Sequence, residues 1–434
     1  MTRIKLILFA GMLISLAQAQ EVLKLEDAID IALRQNPNIL ISSNEQEVAR
    51  VLNNWYAAGR IPTVTANSFF NNSVTNLNQK LNNGTDIVRN GVLNSTINVN
   101  GQFSYRLYGG KRVFIVKRRL ELEEAQTDES LKQDINQTVF DVINRYINII
   151  RLIRQRDAIL ETISFFEERS KLSQNRFEIG TAGKNDYLQS QVDLNVQRTT
   201  ELNILNNIEL AKMELNRIMG RDPFTPFQVE DIPAPENLPA REEMIKAIDS
   251  INPEVAFLRF NQKILEQLRL EILALQKPSL FGNASATFNR NNNTAGFNLF
   301  TQTYGPQVGL SLSVPLFTRP IVRQQLKINE LNYRNQDLQI ENVKQSLTAL
   351  AANAYQNYEN AKRQIELEEN NLVIIREHNF ISMERFRKAS ITTVELRQAQ
   401  LNLVDAQNRI INSRFILKQS EVQLLYVMGK LVSE

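Results

Sequence analysis

Residues 133–164 read QDINQTVFDVINRYINIIRLIRQRDAILETIS, and this stretch decides the fold. Its apolar residues recur in alternating steps of four and three, beginning with Ile135, Val139, Val142, Tyr146, Ile149 and Ile153. This spacing forms a heptad seam and favours helices that supercoil around one another. The sequence has no Gly or Pro between Gly110 and Gly180. A helix of that length would run about 100 Å, so we expect a rod packed against neighbouring helices.

The chain repeats this plan once. Asn36-Pro37 matches Asn252-Pro253 at an offset of 216 residues, and further along Arg176-Phe177 matches Arg385-Phe386 at an offset of 209. A constant offset over a long stretch indicates a duplicated structural unit. Each unit reads helix, strand, strand, long helix, helix, and the change in offset indicates a loop seven residues longer in the first unit.

The first unit is predicted at residues 20–220, with strands at about 62–76 and 92–108, a long helix at about 111–178 and a helix at about 184–219. A Pro-rich linker, the equatorial region, is predicted at residues 221–240. The second unit is predicted at residues 241–430, with strands at about 279–289 and 304–317, a long helix at about 321–387 and a helix at about 392–428.

The predicted strands have two different faces. In the last strand the apolar residues Val308, Leu310, Leu312, Val314 and Leu316 alternate with polar residues and Gly. This period of two suits strands of a transmembrane β-barrel, although a soluble two-sided sheet shows the same alternation. Four strands cannot close a barrel, and open edges are not tolerated in lipid. If the strands lie in a membrane, several copies of the chain must each contribute four.

The first residues have the pattern of a secretory signal peptide. Arg3 and Lys5 precede the apolar run 6–16, and Ala17-Gln18-Ala19 supplies a small-residue cleavage site. The apolar run is too short to span a bilayer as a helix. We therefore expect residues 1–19 to be removed on export, which places the chain in a bacterial envelope.

Composition excludes several classes of function. The 434 residues carry 50 Lys and Arg against 47 Asp and Glu, a net charge of +3 that argues against a nucleic-acid partner. The chain has no Cys, which excludes disulfides, thiol chemistry and a lipid-modified N-terminal Cys. Its one His, His378, excludes a multi-His metal site. We predict no catalytic residues, no cofactor and no metal, and hence no enzyme.

Several motifs together resemble the TolC-like outer-membrane efflux proteins. Val314-Pro315-Leu316-Phe317 precedes one long helix, and residues 106–110, RLYGG, precede the other. More specific are the paired turns at residues 176–181, RFEIGT, and 385–390, RFRKAS. Each turn is followed by an acidic residue and a Gln-x-Gln or Gln-Ala-Gln run. The resemblance covers about residues 25–429.

The resemblance implies a mainly α protein with a β membrane part, assembled as a homotrimer. Three chains would form a 12-stranded β-barrel in the outer membrane of a Gram-negative cell and a helical tunnel in the periplasm. It further implies a passive exit duct of a tripartite efflux or type I secretion system, which works with a periplasmic adaptor protein and an inner-membrane pump of the RND or ABC type. The alternative is a periplasmic coiled-coil scaffold or adaptor protein, which predicts a single helical hairpin with one small β domain.

The two turns would then lie at the periplasmic tip, where they form the gate. The residues in question are Arg176, Phe177, Gly180, Asp186, Arg385, Phe386, Glu395 and Gln398. Asp186 and Glu395 fall at the family's acidic constriction, whereas Gln398 stands where the family has a second acidic residue. Glu395 is otherwise a solvated helix residue, and Asp186 otherwise supports the helix start after Gly183. The two Arg residues either pair with tip carboxylates or act as ordinary last-turn cations. Because Ala389 replaces the Gly of the first turn, we expect the second turn to be more continuously helical or differently bent.

Residues at the junction of strands and helices are predicted to meet the membrane surface. They are Trp55, Tyr56, Tyr108, Lys111, Arg112 and Phe317. Aromatic girdles and basic residues that contact lipid phosphates are typical of this level. Lys117, Arg118 and Arg119 extend the basic cluster. The alternative is a solvated basic patch with aromatic residues buried by packing.

Overall fold

The computed structural model describes residues 21–232 and 240–431. The predicted signal peptide, residues 1–19, lies outside the described residues, as do residues 233–239 of the predicted linker. The first half contains β1 (Glu21–Leu23), α1 (Leu25–Gln35), α2 (Pro37–Leu52), β2 (Thr63–Lys80), β3 (Asp86–Tyr108), α3 (Arg112–Glu178) and α4 (Lys184–Met219). The second half contains β4 (Phe227–Val229), α5 (Arg241–Ser250), α6 (Pro253–Ala274), β5 (Ser279–Asn293), β6 (Phe300–Ser313), α7 (Arg319–Arg387) and α8 (Thr393–Met428).

The chain divides into two compact units. The first unit comprises the chain up to Ile41 together with Gln133–Asn252 and Gln345–Glu434. The second unit comprises Ser42–Lys132 and Pro253–Lys344. Among the described residues, no helix carries an apolar stretch long enough to cross a membrane.

The core of the first unit is built on the heptad seam of α3. Val139, Val142, Tyr146 and Ile149 are fully buried, as the spacing predicted. The Tyr146 hydroxyl donates to the Leu23 carbonyl at 2.8 Å and accepts from the Glu230 N–H at 2.8 Å. Tyr146 thereby joins α3 to the chain beside the parallel pair β1–β4.

Two buried Asn residues make equivalent hydrogen bonds in the two halves of the chain. The Asn36 side chain donates to the Ile218 carbonyl at 2.7 Å, in the last turn of α4. The Asn252 side chain donates to the Val427 carbonyl at 2.8 Å, in the last turn of α8. Since the last carbonyls of a helix lack intrahelical partners, both amides satisfy groups that burial would otherwise leave unpaired. Each Asn precedes a Pro that begins the next helix, the position that Pro favours.

The second unit contains one antiparallel sheet in the order β2-β3-β5-β6. The central pair β3–β5 joins the two halves of the chain, with Asn94 opposite Asn293 at one end and Tyr108 opposite Leu280 at the other. The outer edges of β2 and β6 have no partner strand within the described sheet. Both hairpins are longer than predicted, because backbone pairing continues through polar tips, as at Lys80 opposite Asp86. The side chains of these tips do not alternate between apolar and polar, so the sequence pattern did not indicate strands there.

The strand register confirms the two-faced pattern. Ser104 donates to Asn283, and Asn283 donates to Ser311, both at 3.0 Å, so the polar residues of three strands share one face. The last strand ends at Ser313, earlier than the sequence predicted. Val314 and Leu316 therefore lie beyond the sheet, because Pro315 has no N–H to continue the pairing.

Candidate functional site

The turn between α3 and α4 is a tight left-handed cap. Gly180 has a φ of 77°, a conformation that Gly adopts without strain. The N–H of Gly180 donates to the Phe177 carbonyl at 3.0 Å, and the N–H of Thr181 donates to the Arg176 carbonyl at 2.8 Å. These two bonds define a Schellman motif, which closes the last turn of the helix.

The turn between α7 and α8 has the same geometry, so the expectation of a more helical or differently bent second turn is wrong. Ala389 has a φ of 56°. Its N–H donates to the Phe386 carbonyl at 2.9 Å, and the N–H of Ser390 donates to the Arg385 carbonyl at 2.8 Å. The hydrogen bonds of the motif outweigh the cost of a left-handed Ala, which is about 1–2 kcal/mol.

The two aromatic residues of the turns have different environments. Phe386 is buried against Met383 and Leu396, and the Arg176 guanidinium lies over its ring at 4.8 Å from the centroid. Phe177 is partly exposed and stacks on Tyr187 with a centroid separation of 6.3 Å. Arg176 thus joins the two turns through a cation–π contact, and it forms no ion pair with any described residue.

Glu395 completes a capping box at the start of α8. Its carboxylate accepts from the Thr392 N–H at 2.7 Å, and its own N–H donates to the Thr392 hydroxyl oxygen at 3.2 Å. The Thr392 N–H bond is the main cause that lowers the pKa of Glu395, followed by the Thr392 hydroxyl and the charge of Arg385. The sequence signal was a Thr followed three residues later by Glu, which sequence reasoning did not use.

Asp186 lies in the first turn of α4, and Gln398 lies in the second turn of α8. Gly183 occupies the cap position of α4, and Asp186 follows in the first turn, where its charge suits the helix dipole. Gln398 donates to Asn402 at 2.8 Å along α8. Arg385 is exposed at the end of α7.

A buried charged cluster near these turns was not predicted. Arg169 of α3 is 0% exposed, and its Nη2 lies 2.5 Å from Oδ2 of Asp193 on α4. Nε of Arg397 on α8 lies 3.2 Å from the same oxygen, while Gln400 accepts from Arg169 at 3.1 Å. Gln189 donates to the other Asp193 oxygen at 2.9 Å. Burial lowers the pKa of the Arg169 guanidinium, and the Asp193 carboxylate partly offsets this effect.

A second contact between the two halves lies on the surface. Arg387 at the end of α7 pairs with Glu168 on α3, with Nε donating at 3.0 Å. Arg387 also pairs with Glu384 one turn earlier on its own helix. Exposed ion pairs of this kind are worth about 0–1 kcal/mol each, so this contact contributes little to stability.

In the second unit, the predicted junction residues divide into paired and unpaired groups. Arg112 pairs with Glu271 at 3.1 Å. Lys117 and Arg118 both pair with Glu121, at 3.2 and 2.9 Å. Lys111 is exposed, has a φ of 64°, and forms no ion pair with any described residue. The basic cluster is therefore largely neutralised within the chain, apart from Lys111.

The aromatic residues of the junction are exposed to different degrees. Trp55 packs edge-to-face on Phe114 at 5.7 Å, and the Arg60 guanidinium lies 4.7 Å from its ring centroid. Three others are freely exposed, namely Tyr56 at 67%, Tyr108 at 51% and Phe317 at 85%. Within the described ranges no group of His, Asp and Glu is arranged to hold a metal ion.

Comparison with known proteins gives matches of three kinds. Residues 274–430 match the family model described as outer membrane efflux protein. The alkaline protease secretion protein AprF of Pseudomonas aeruginosa is 22% identical over 338 residues, 73% of this chain and 66% of that protein. Outer membrane protein TolC of Salmonella enteritidis is 20% identical over 328 residues, 72% of this chain and 66% of that protein. The crystal structure of the Campylobacter jejuni CmeC outer membrane channel aligns with a TM-score of 0.78 at 14% identity, covering 94% of this chain and 85% of that one.

These matches confirm the resemblance to the TolC-like outer-membrane efflux proteins. They also confirm the fold class, a mainly helical chain with a β part, and the outer-membrane localisation. The sequence alignments span 66% of the length of the two curated relatives, somewhat under two thirds.

Proposed function

We propose that this protein is the outer-membrane exit duct of a tripartite efflux or type I secretion system. One observation carries the proposal, namely a four-stranded sheet with one apolar face and two unpaired edges. Apolar residues of three strands share that face and are exposed, including Val64, Phe70, Val99, Phe103, Val308, Leu310 and Leu312. A surface of this kind is costly in water and suits the hydrocarbon layer of a membrane.

The unpaired edges require further copies of the chain. In lipid, each backbone group without a hydrogen-bond partner costs several kcal/mol, so the edges of β2 and β6 must be closed. The β2 edge of one copy would pair with the β6 edge of the next. The resemblance supplies the number three, which gives a homotrimer with 12 strands, and a closed ring of identical interfaces satisfies every edge.

The opposite face of the sheet would line the lumen. Hydroxyl and amide side chains of four strands lie on it, including Thr65, Asn67, Asn98, Asn100, Asn283, Ser285, Thr303 and Gln307. Between Asn94 and Arg106 of β3, Arg106 is the charged residue on this face. A polar wall with few charges would pass hydrated solutes or polypeptides without binding any of them tightly.

Transport energy must come from partners. The chain carries no nucleotide-binding motif, and a passive duct needs an inner-membrane pump joined through a periplasmic adaptor. The helices would form the periplasmic tunnel, and the turns around Gly180 and Ala389 would lie at its closing tip. Glu395 and Asp186 would then face the constriction as acidic residues, in addition to supporting the starts of their helices.

Cysteine cross-linking tests the assembly directly, because the natural chain has no Cys. Val64→Cys is combined in turn with Tyr304→Cys, Val308→Cys and Leu312→Cys, which lie on the same face of the opposite edge strand. At least one pair should give cross-linked species up to a trimer in isolated outer membranes, and the single-Cys parents should give none. A chain found as a soluble monomer without detergent would instead favour a periplasmic scaffold or adaptor protein.

A further inference from the structure

The segment around β5 and β6 is basic and free of acidic residues. Between Glu271 and Glu330 the sequence has no Asp or Glu, yet it carries Lys277, Arg290, Arg319, Arg323 and Lys327. Four of these five lie on the helix side of the sheet, next to or within α6 and α7. The positive charge is therefore concentrated where the strands meet the helices.

Lys327 of this segment pairs with Glu330 at 3.1 Å, but the cations nearer the sheet have no such partner, in contrast to most of those at the start of α3. Arg319, Arg323 and Lys277 are exposed and form no ion pair with any described residue. Arg112, by comparison, is neutralised by Glu271. Lys277 packs against the backbone of Gly110, where an added Cβ would come within 2.5 Å of the Lys277 Cβ. This contact places Lys277 one residue away from Lys111, the unpaired cation of the α3 start.

Helix energetics do not account for these charges. Arg319 begins α7 and Arg323 follows one turn later, at the end of the helix where the dipole disfavours cations. No carboxylate of the first turn offsets them. An external anion would supply the missing counter-charge.

Arg319 and Arg323 line an open groove, which we call the Arg319 groove. Its volume is about 810 Å³, and it is lined on the polar side by Gln276, Arg319, Arg323 and Lys327. Its apolar side is formed by Ile328 and Leu331. A groove with cationic residues on one side and apolar residues on the other fits an amphipathic anion better than a free inorganic ion.

Exposed apolar residues lie in the chain between β6 and the residues of the groove. Leu316 and Phe317, which directly precede α7, are 91% and 85% exposed. They follow the exposed apolar residues Leu310 and Leu312, which lie near the end of β6. Acyl chains on these residues would place their headgroup at Arg319 and Arg323.

We propose that the Arg319 groove binds the headgroup phosphate of an anionic phospholipid in the periplasmic leaflet, with an acyl chain against Leu316 and Phe317. The proposal rests on the membrane location given under the proposed function. Arg319 and Arg323 lie one turn apart without a counter-charge among the described residues, and they select an anionic headgroup over a zwitterionic one, since each cation near a membrane surface attracts anionic lipid.

Native mass spectrometry of the full-length protein, purified in detergent, tests this proposal. The protein is titrated with phosphatidylglycerol or with phosphatidylcholine of the same acyl chains, and bound lipids are counted per copy. The variant is Arg319→Gln with Arg323→Gln. The matched control is Lys362→Gln with Arg363→Gln, which removes the same charge from two exposed, unpaired cations farther along α7.

Wild type and control should retain phosphatidylglycerol in preference to phosphatidylcholine, and the affinity of the double variant for phosphatidylglycerol should be roughly 25-fold lower, since each surface cation contributes about fivefold. Equal retention by the variant, or equal retention of both lipids by wild type, would overturn the proposal. Displacement of the lipid by millimolar inorganic phosphate would assign a free-anion site instead. Dissociation of the variant into monomers with lipid binding per copy unchanged would make the groove a contact between copies. Failure of the proposed function itself is distinguishable. In that case the cross-links between Val64→Cys and the Cys variants of β6 would be absent from protein with Arg319 and Arg323 intact.

Discussion

Arg169 and Asp193 form an ion pair that is almost completely closed to solvent, with side chains 0% and 5% exposed. The pair joins α3 to α4, and Arg397 extends it to α8. Two cations thus share one carboxylate, and Nε of Arg169 has no hydrogen-bond partner among the described atoms. Loss of the carboxylate would leave a buried guanidinium without its counter-charge, which makes Asp193 the residue on which the cluster depends.

Asp193→Asn should destabilise the helical part by about 3–5 kcal/mol, because removing one partner of a buried pair leaves the other charge buried without compensation. The thermal midpoint of the helical circular-dichroism signal, measured on purified protein, checks this. Arg397→Gln is the matched control, since its side chain is 46% exposed and its loss should cost less than about 1 kcal/mol. Similar midpoints for Asp193→Asn and Arg397→Gln would show that the buried pair contributes little.

Replacing both partners provides a further check on the same cluster. Arg169→Met with Asp193→Leu removes the buried charges together, and such replacements are often neutral or stabilising by about 1–4 kcal/mol. The double variant should therefore be more stable than Asp193→Asn alone. A double variant less stable than the single one would mean that the cluster is held by packing and not by charge.

This cluster marks the limit of what the sequence could predict in the helical unit. Spacing along α3 correctly predicted that Val142 and Tyr146 are buried, because the period of a helix fixes which side chains share a face. The meeting of Arg169 with Asp193 depends on how far each helix is shifted along its neighbour. Periodicity within one helix does not contain that information, so the ion pair could not be predicted.

The same reasoning explains the result for the sheet. Alternation correctly assigned Val308 and Leu310 to one face, because successive strand residues point in opposite directions. It failed at the hairpin tips and beyond Ser313, where pairing depends on backbone groups and on Pro315. The capping box of Thr392 and Glu395 was accessible from the sequence, but Glu395 was considered only as a pore or surface charge.

The paired turns predict opposite effects for reciprocal substitutions. Ala389→Gly should stabilise the protein by about 1 kcal/mol, since Gly relieves the cost of a positive φ. Gly180→Ala should destabilise it by about the same amount. An added Cβ at Gly180 meets no atom within 4 Å, so this change isolates backbone strain from steric contact. Thermal midpoints of both variants provide the test, and shifts of the same sign would contradict equal geometry in the two turns.

Tyr146 and Tyr355 are equivalent in the repeat but should respond differently to loss of the hydroxyl. Tyr146→Phe leaves the carbonyl of the buried Leu23 and the N–H of Glu230 without their partner, which should cost about 1–3 kcal/mol. Tyr355 is 39% exposed, so Tyr355→Phe should change stability by less than about 0.5 kcal/mol. Equal shifts of the thermal midpoint in the two variants would remove the hydroxyl of Tyr146 from the stabilising contacts.

Glu395 should give the stability a pH dependence of defined sign. Its pKa is lowered in the folded state, chiefly by the Thr392 N–H, so its contribution is present above the unfolded pKa and is lost as pH falls through the folded pKa. The difference in thermal midpoint between wild type and Glu395→Gln should be constant near neutral pH and shrink below the ordinary value of 4.5. Glu377→Gln is the control, because that residue is exposed and forms no ion pair with the described residues. A difference that persists unchanged in acid would contradict the role of the carboxylate charge.

Ion selectivity separates the structural role of Glu395 from a role in the constriction. Three carboxylates around a pore attract cations and repel anions, whereas a capping residue alone leaves permeation unchanged. Glu395→Gln, with Arg385 retained, should lower the cation preference measured by reversal potentials in planar bilayers. Gln398→Glu should raise it, because it lies one turn farther along α8 and adds a second acidic ring. Since Gln at the same capping position still reaches the Thr392 N–H, a change in selectivity would not arise from loss of the helix start. Permeability ratios unaffected by both substitutions would place this turn of α8 outside the constriction.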